Sequence, residues 1–438
     1  MAQGFSKKNQ SPAETAYRFG DFALYPRDRL LKKTGASILL QPKAFDALLC
    51  LVRGAQHLVS KQELTQMLWP DVHVSEANLT NLIVSLRKIL GRDAIRTVSK
   101  HGYQFELPIS GEPGLRRETY DKFIRARELT AQRSLQSIPL ARELYWTCLA
   151  EDPSFAPAWA WLGRCCWFLD KFTGSSSAEP ELSEAVFQRA FALDPDLACA
   201  HQFYTLFQVD MGQAEKAMSR LFERLQHHPA EPEAFSSLVQ VLRFRGLLPE
   251  SLKAHRRAVE LDPAVTTSVA HTFFLAGRYE TAIETYGGRG GHYLDAAAWA
   301  ALDDRKQAIA LLRERLSKTP FSKLITALMT SLLAILEGRK NEAARIMEEA
   351  NTNREPEILV YFARHYCHMR SLDSSIKALD QAARSGFTCT PETLRSDPWL
   401  RPLRKHPEFG SLLNTAQALV EGARSSFEVY AAYSKTFR

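Results

Sequence analysis

Residues 75–103 read SEANLTNLIVSLRKILGRDAIRTVSKHGY, one helical period followed by a basic hairpin. Leu79, Leu82, Ile83, Leu86 and Leu90 recur at i, i+3, i+4, i+7 and i+11, the spacing that places side chains on one face of a 3.6-residue helix. That face is predicted to be core. Ala77, Asn81, Val84 and Lys88 fall opposite, flanked by Thr80 and Ser85. They form a set of small or hydrogen-bonding side chains ending in positive charge, which fits a DNA major groove. Gly91 stands at the C′ stop position. Ile95-Arg96-Thr97-Val98 and Tyr103-Gln104-Phe105 then alternate like paired strands around Ser99-Lys100-His101-Gly102.

Residues 1–15 are a polar lead that need not be ordered. Tyr17, Phe19, Phe22, Leu24 and Tyr25, then Leu30-Leu31 and Ile38-Leu39-Leu40, are broken by Gly20-Asp21, Pro26-Arg27-Asp28 and Gly35. These are turn signals between short antiparallel strands. Pro42 suits a first helical position, where its missing N–H costs nothing, and Phe45, Leu48, Leu49 and Val52 give the following helix its apolar face. Ser60-Lys61-Gln62-Glu63 has capping-box form and opens a short helix stopped by Pro70-Asp71; Ser75 is the expected N-cap of the next. The order sheet, helix, helix, helix, hairpin predicts a winged helix-turn-helix domain over residues 16–108.

The motifs Phe19-Gly20-Asp21-Phe22, Leu40-Gln41-Pro42-Lys43-Ala44-Phe45-Asp46, Val59-Ser60-Lys61-Gln62-Glu63-Leu64, Leu68-Trp69-Pro70-Asp71, Leu86-Arg87-Lys88-Ile89-Leu90, Ile95-Arg96-Thr97-Val98 and Gly102-Tyr103-Gln104-Phe105 follow in order. In them the segment resembles the DNA-binding domain of OmpR/PhoB-type bacterial transcription regulators over residues 17–107. The resemblance implies that Asn78 to Lys88 belong to a recognition helix and that the wing touches the adjacent minor groove. It also implies that Trp69, Arg87, Thr97 and Tyr103 reach phosphates, with Trp69 read as part core and part phosphate donor. Asn78, Thr80, Asn81, Val84, Ser85 and Lys88 are then the groove-side candidates on the helix, and Arg96, Lys100 and His101 those of the wing. Ser99 departs from the pattern, since many members carry Arg there, and Lys100 is its expected substitute. With about 16 residues before the domain, no phosphoacceptor receiver is expected in this chain, so control must come from the residues that follow.

Pro108-Ile109-Ser110-Gly111-Glu112-Pro113-Gly114 is Pro/Gly-rich, and the linker is placed at 109–115. Beyond it, Asp152-Pro153, Asp194-Pro195, His228-Pro229 and Asp262-Pro263 mark intervals of 42, 34 and 34 residues. Thirty-four is the tetratricopeptide (TPR) period, and 42 becomes 34 if Thr173 to Pro180 carry an eight-residue insertion between helices. Trp159, Leu162 and Gly163 fit the first-helix signature; Ala141, Ala217, Ala282 and Ala343 fit the small crossing position, and Ala190 and Ala258 the later one. The region resembles TPR repeats. The expected fold class is mostly α: a small α+β winged helix-turn-helix domain, then an α-solenoid of TPR-like helix pairs over 116–410, with a terminal cap, and a C-terminal helix and tail over 411–438. The 57 residues from Pro263 to Pro320 are not a whole number of repeats and predict two shortened helix pairs.

Of the +7 net charge, residues 1–111 hold 15 Lys+Arg against 9 Asp+Glu, leaving 41 against 40 for the rest. Local positive charge at the front is what a polyanion partner requires. Seven Cys without a C-x-x-C pair predict reduced thiols. The most apolar run, Ile325 to Leu336, is too short to cross a bilayer, so no membrane partner and a cytoplasmic location are expected. Gly287-Gly288-Arg289-Gly290-Gly291 lacks a following Lys-Ser/Thr and reads as a loop. His365-Tyr366-Cys367-His368 names no further zinc ligands and reads as structural. No catalytic set stands out, so no enzyme, cofactor or metal is expected. Trp146, Trp159, Trp161, Trp167, Phe155 and Phe168 make the front repeats aromatic, mostly as core. The reading is a transcription regulator whose partners are double-stranded DNA and, through the repeats, an effector, RNA polymerase or another protein, with a homodimer on tandem sites. The alternative is a repeat scaffold whose winged helix docks proteins or anchors to DNA without sequence preference.

Overall fold

The computed structural model describes residues 16–26, 29–55, 57–69, 76–109, 117–132, 134, 136–173, 180–263, 265–287, 293–318, 323–350, 356–432 and 437. The N-terminal lead, Ser75, most of the linker, the interior of the Thr173–Pro180 insertion and Gly288 to Gly291 lie outside the described residues.

Turn chemistry and alternation build the first sheet. β1 (Tyr17–Phe19), β2 (Phe22–Tyr25), β3 (Leu30–Lys33) and β4 (Ala36–Ile38) form an antiparallel meander in chain order. α1 (Pro42–Arg53) starts at its proline. After β5 (Leu58–Ser60), α2 (Lys61–Leu68) opens with the full capping box: the Ser60 hydroxyl accepts from the Glu63 amide and the Glu63 carboxylate accepts from the Ser60 amide. α3 (Glu76–Leu90) ends at Gly91, whose φ of +100° is the backbone that favours glycine. A 3₁₀ turn (Arg92–Ala94) leads into β6 (Ile95–Val98) and β7 (Gly102–Phe105), which pair with β5 in the order β5-β7-β6. The Phe19 ring meets Phe105 edge-on at 5.0 Å, so the two sheets share one core with Phe45, Leu48, Leu79, Ile83 and Leu86.

The helix pairs follow: α4 (Arg117–Ala131) with α5 (Ser137–Glu151), α6 (Ala156–Thr173) with α7 (Pro180–Leu193), α8 (Ala198–Asp210) with α9 (Ala214–His227), and α10 (Pro232–Phe244) with α11 (Leu248–Leu261). The 57-residue interval holds the short pairs α12 (Val269–Leu275) with α13 (Tyr279–Tyr286) and α14 (Leu294–Ala301) with α15 (Arg305–Lys318). Then come α16 (Lys323–Leu336) with α17 (Lys340–Glu349), α18 (Pro356–Met369) with α19 (Leu372–Arg384), α20 (Pro391–Ser396), a 3₁₀ turn (Arg401–Lys405) and α21 (Phe409–Ala431). Ala141, Ala190, Ala217, Ala258, Ala282 and Ala343 are all fully buried, as close helix crossing demands. A Cβ at Gly163 would stand 2.9 Å from the Phe187 ring. His365 is buried with Nε2 2.7 Å from the Tyr293 hydroxyl and Nδ1 2.9 Å from the Ser331 hydroxyl, so both ring nitrogens serve the core.

An open solenoid would let each pair touch only its neighbours. Here the array curls until its end packs on its middle. One apolar core joins α9–α12 to α18–α21. The Thr388 amide donates to the Phe244 carbonyl at 2.8 Å, the Thr393 hydroxyl donates to the Leu275 carbonyl at 2.8 Å, and Phe222 meets Phe427 at 5.7 Å. Gly212 and Gly386 touch backbone to backbone; a Cβ on Gly386 would lie 2.7 Å from the Gly212 Cα. Arg243 Nε and Nη2 each stand 3.1 Å from the Glu357 carboxylate across 114 residues of chain, both groups buried. Burial pushes the Glu357 carboxyl upward, but the charges of Arg243 and His271 prevail and hold it well below the ordinary carboxylate range.

The second sheet depends on one missing side chain. A Cβ at Gly102 would stand 2.0 Å from the Val59 carbonyl oxygen and 2.7 Å from the Ser60 Cα, so β5 and β7 cannot keep their register with alanine there. Gly102→Ala is expected to cost about 3 kcal/mol or more. Hydrogen exchange should show amides of β5 and β7 losing protection while those of α10 and α18 keep theirs; unchanged protection at β5 would refute the account.

Candidate nucleic-acid interface

α3 presents the face its period implies. Leu79, Ile83, Leu86 and Leu90 are buried, while Ala77, Thr80, Asn81, Val84, Ser85 and Lys88 are exposed and Asn78 is half-buried. Val84 is 42% exposed, a large apolar group in water that suits contact with a thymine methyl. The Thr80 hydroxyl donates to the Glu76 carbonyl at 2.9 Å and the Ser85 hydroxyl to the Leu82 carbonyl at 2.6 Å. Both therefore face outward as acceptors. Asn81 has an amide donor and acceptor on the same exposed strip, and Lys88 ends it with a charge that has no protein partner among the described residues.

The wing is tied to this helix by Arg87. Its Nε and Nη2 donate to the Ile95 carbonyl at 3.0 and 2.7 Å, Nη2 also donates to the Thr97 hydroxyl at 2.6 Å, and the guanidinium lies 5.9 Å from the centre of the Tyr103 ring. Tyr103 is only 4% exposed. Arg87 thus sets the angle between helix and wing, with Thr97 exposed beside it. Arg96 donates to the Glu106 carboxylate at 2.5 Å and to the Gln104 side-chain oxygen at 2.6 Å, which offsets its charge. Lys100, in the left-handed region at φ +64°, and His101 stand exposed at the wing tip. Lys61 pairs with Glu76 at 2.7 Å and joins α2 to the start of α3.

Trp69 is elsewhere. It is 5% exposed, its Nε1 is buried with no hydrogen-bond partner among the described residues, and the Lys43 ammonium lies 4.8 Å from its ring centre. The structure does not bring it to the face that carries Asn81, Lys88 and Lys100, because Lys43 belongs to a seam between the winged helix and the repeats. Lys43 Nζ pairs with Glu233 of α10 at 2.8 Å and with Asp262, just after α11, at 3.2 Å. Along α1, Lys43, Asp46, Cys50 and Arg53 follow at i, i+3, i+7 and i+10. This is a second helix face, opposite the apolar one, and that spacing was the available signal for a docking side. Arg29 pairs with Asp46 at 2.6 Å, the Cys50 thiol is 3.0 Å from the Tyr120 hydroxyl, and Arg53 lies 5.1 Å from the Phe155 ring centre. The repeats therefore hold the domain by α1 and leave α3 and the wing uncovered.

Several known proteins are similar to parts of the chain. The family described as "Transcriptional regulatory protein, C terminal" matches residues 35–105. HilA of Salmonella typhimurium, a transcriptional regulator, is 35% identical over 95 residues, 21% of this chain and 17% of that protein. The transcriptional regulatory protein YvcP of Bacillus subtilis is 33% identical over 93 residues, 20% of this chain and 39% of that protein. The chain thus spans about a sixth of HilA's length. Among solved structures, the human IFIT1 dimer with m7Gppp-AAAA aligns with 82% of this chain and 77% of its own at 16% identity and a TM-score of 0.35. The Cut9–Hcn1 hetero-tetramer of the APC/C aligns with 84% and 83% at 12% identity and a TM-score of 0.38. Residues 35–105 form a winged helix-turn-helix domain of the OmpR/PhoB type, and TPR-like helix pairs follow it.

The seam carries a titratable strain. Burial pushes the Asp194 carboxyl up to about 6, against the charge of Arg29. A carboxyl whose folded pKa exceeds its unfolded value of 3.8 favours the folded state when protonated, and that contribution is lost as pH rises from about 4 through about 6. Asp194→Asn is expected to remove the loss, stabilising the chain at pH 7.5 by up to about 3 kcal/mol and much less at pH 4. Urea melts at the two pH values check this, and parallel profiles for the two proteins would count against it.

Proposed function

We propose that the chain is a DNA-binding transcription regulator that reads promoter half-sites with α3 in the major groove and the β6–β7 wing over the adjacent minor groove. One observation carries this reading: the exposed strip of Asn81, Val84, Ser85 and Lys88 faces away from the repeats, which grip the opposite side of the domain through Lys43. The match of residues 35–105 to a transcriptional regulatory domain supports it. Asn81, Thr80 and Ser85 supply hydrogen-bonding groups for base edges, Val84 an apolar contact, and Lys88, Lys100 and His101 the positive charge for phosphates. Arg87 and Thr97 position the wing. Two protomers on tandem sites would supply the affinity that one Lys-poor helix lacks. The repeats act as the effector or protein-partner region, where RNA polymerase or another protein would be engaged.

The full chain should select a defined site from a random DNA pool. Lys88→Ala and Lys100→Ala should each weaken binding on every sequence and reduce the slope of log K against log salt by about 0.9. Asn81→Ala should instead relax the preference at one base pair. Gel-shift titrations at fixed salt read both effects; binding to selected sites no tighter than to random DNA would overturn the proposal.

A further inference from the structure

We propose that the cavity in the seam between α1 and the front repeats binds a small carboxylate with a compact apolar body, about the size of benzoate. The cavity measures about 140 Å³, close to the roughly 150 Å³ that suffices for a benzene ring in a protein core. Its walls come from both domains: Leu49 and Met67 from the winged helix, Phe123, Phe155, Trp161 and Leu197 from the repeats. The apolar part of the ligand is set by these side chains.

The charged part is set by the cations around the space. Asp46 and Asp194 line it; Arg29 pairs with Asp46 at 2.6 Å and offsets in part, through its charge, the burial that raises the Asp194 carboxyl. Arg53 also lines it; its only protein hydrogen bond among the described residues is to the Tyr17 hydroxyl at 3.4 Å, and its guanidinium rests on Phe155. Behind the aromatic wall, Arg127 is 3% exposed, with Nε and Nη1 buried and unbonded. Its guanidinium lies 4.5 Å from the Trp161 ring centre and 5.9 Å from that of Phe123. A guanidinium does not give up its proton, so burial without an anion is costly, and ring faces offset that only in part. Two cations without an ion-pair partner among the described residues, one lining the cavity and one behind its aromatic wall, call for a single negative charge. A carboxylate on Arg53 supplies it within the field of Arg127. A phosphate would place a second charge against Asp46 and Asp194, and an amine would face two arginines. The site stands independently of any role in DNA binding.

Calorimetric titration of the full chain with sodium benzoate, without DNA, tests this. Saturable binding is expected, at millimolar affinity or tighter. Arg53→Met should weaken it about tenfold or more while leaving the affinity for toluene, the neutral isostere, unchanged. Ser154→Phe, at an exposed residue of the cavity rim, should block both ligands without a change in melting temperature. No saturable benzoate binding up to about 20 mM, binding unaffected by Ser154→Phe, or equal loss of benzoate and toluene in Arg53→Met would each overturn the proposal.

Discussion

The arrangement of the two domains turns on one ammonium group. Lys43 stands between Glu233 and Asp262 with the Trp69 ring against it, and it is 14% exposed. Removing Lys43 would take the ammonium from two carboxylates that are only 15% and 21% exposed, and losing one partner of an ion pair costs about 3–5 kcal/mol in buried cases. The group therefore chooses an orientation. With α1 committed to the repeats, α3 and the wing have to point outward, and the indole that sequence resemblance would send to a phosphate is held in the seam.

The same repeat helix that receives Lys43 also closes the array. Glu233 begins α10 and Arg243 lies near its end, where it meets Glu357 of α18. A single helix of 13 residues thus connects the DNA-binding domain, the middle repeats and the terminal helices. The space that an open superhelix would leave for a partner peptide is here filled by the chain itself, α19 to α21 lying on α9 to α12. One opening among the described residues is the seam cavity, walled by both domains.

What the sequence revealed was local. The 3.6-residue period of α3, the capping box at Ser60, the proline that starts α1 and the alanines at helix crossings each depend on neighbours within a few residues, and each takes its place in the structure. The exposed strip of α3 was legible for the same reason. The core part of the Trp69 reading was legible, but its place against Lys43 was not, because that neighbour comes from α1 and the seam rather than from its own helix. Arg87 read as a phosphate contact is seen tying helix to wing, since nothing in its spacing distinguishes a carbonyl partner from a phosphate. Ring closure was invisible: its contacts join residues 114 to 205 positions apart, and repeat periodicity says how one pair stacks on the next, not how far the stack bends.

That closure changes how the chain has to reach its folded state. A linear repeat stack nucleates anywhere and grows pair by pair, but here the apolar faces of α9 to α12 are completed by helices that begin at residue 356 or later. During synthesis at roughly 5–20 residues per second, about 130 residues separate the exit of α12 from that of α21, so the middle repeats wait roughly ten seconds for their cover. Contacts of such long range also slow the last folding step. The terminal helix, which packs on α9 and α19, thereby completes the cover of the middle repeats in a newly made chain.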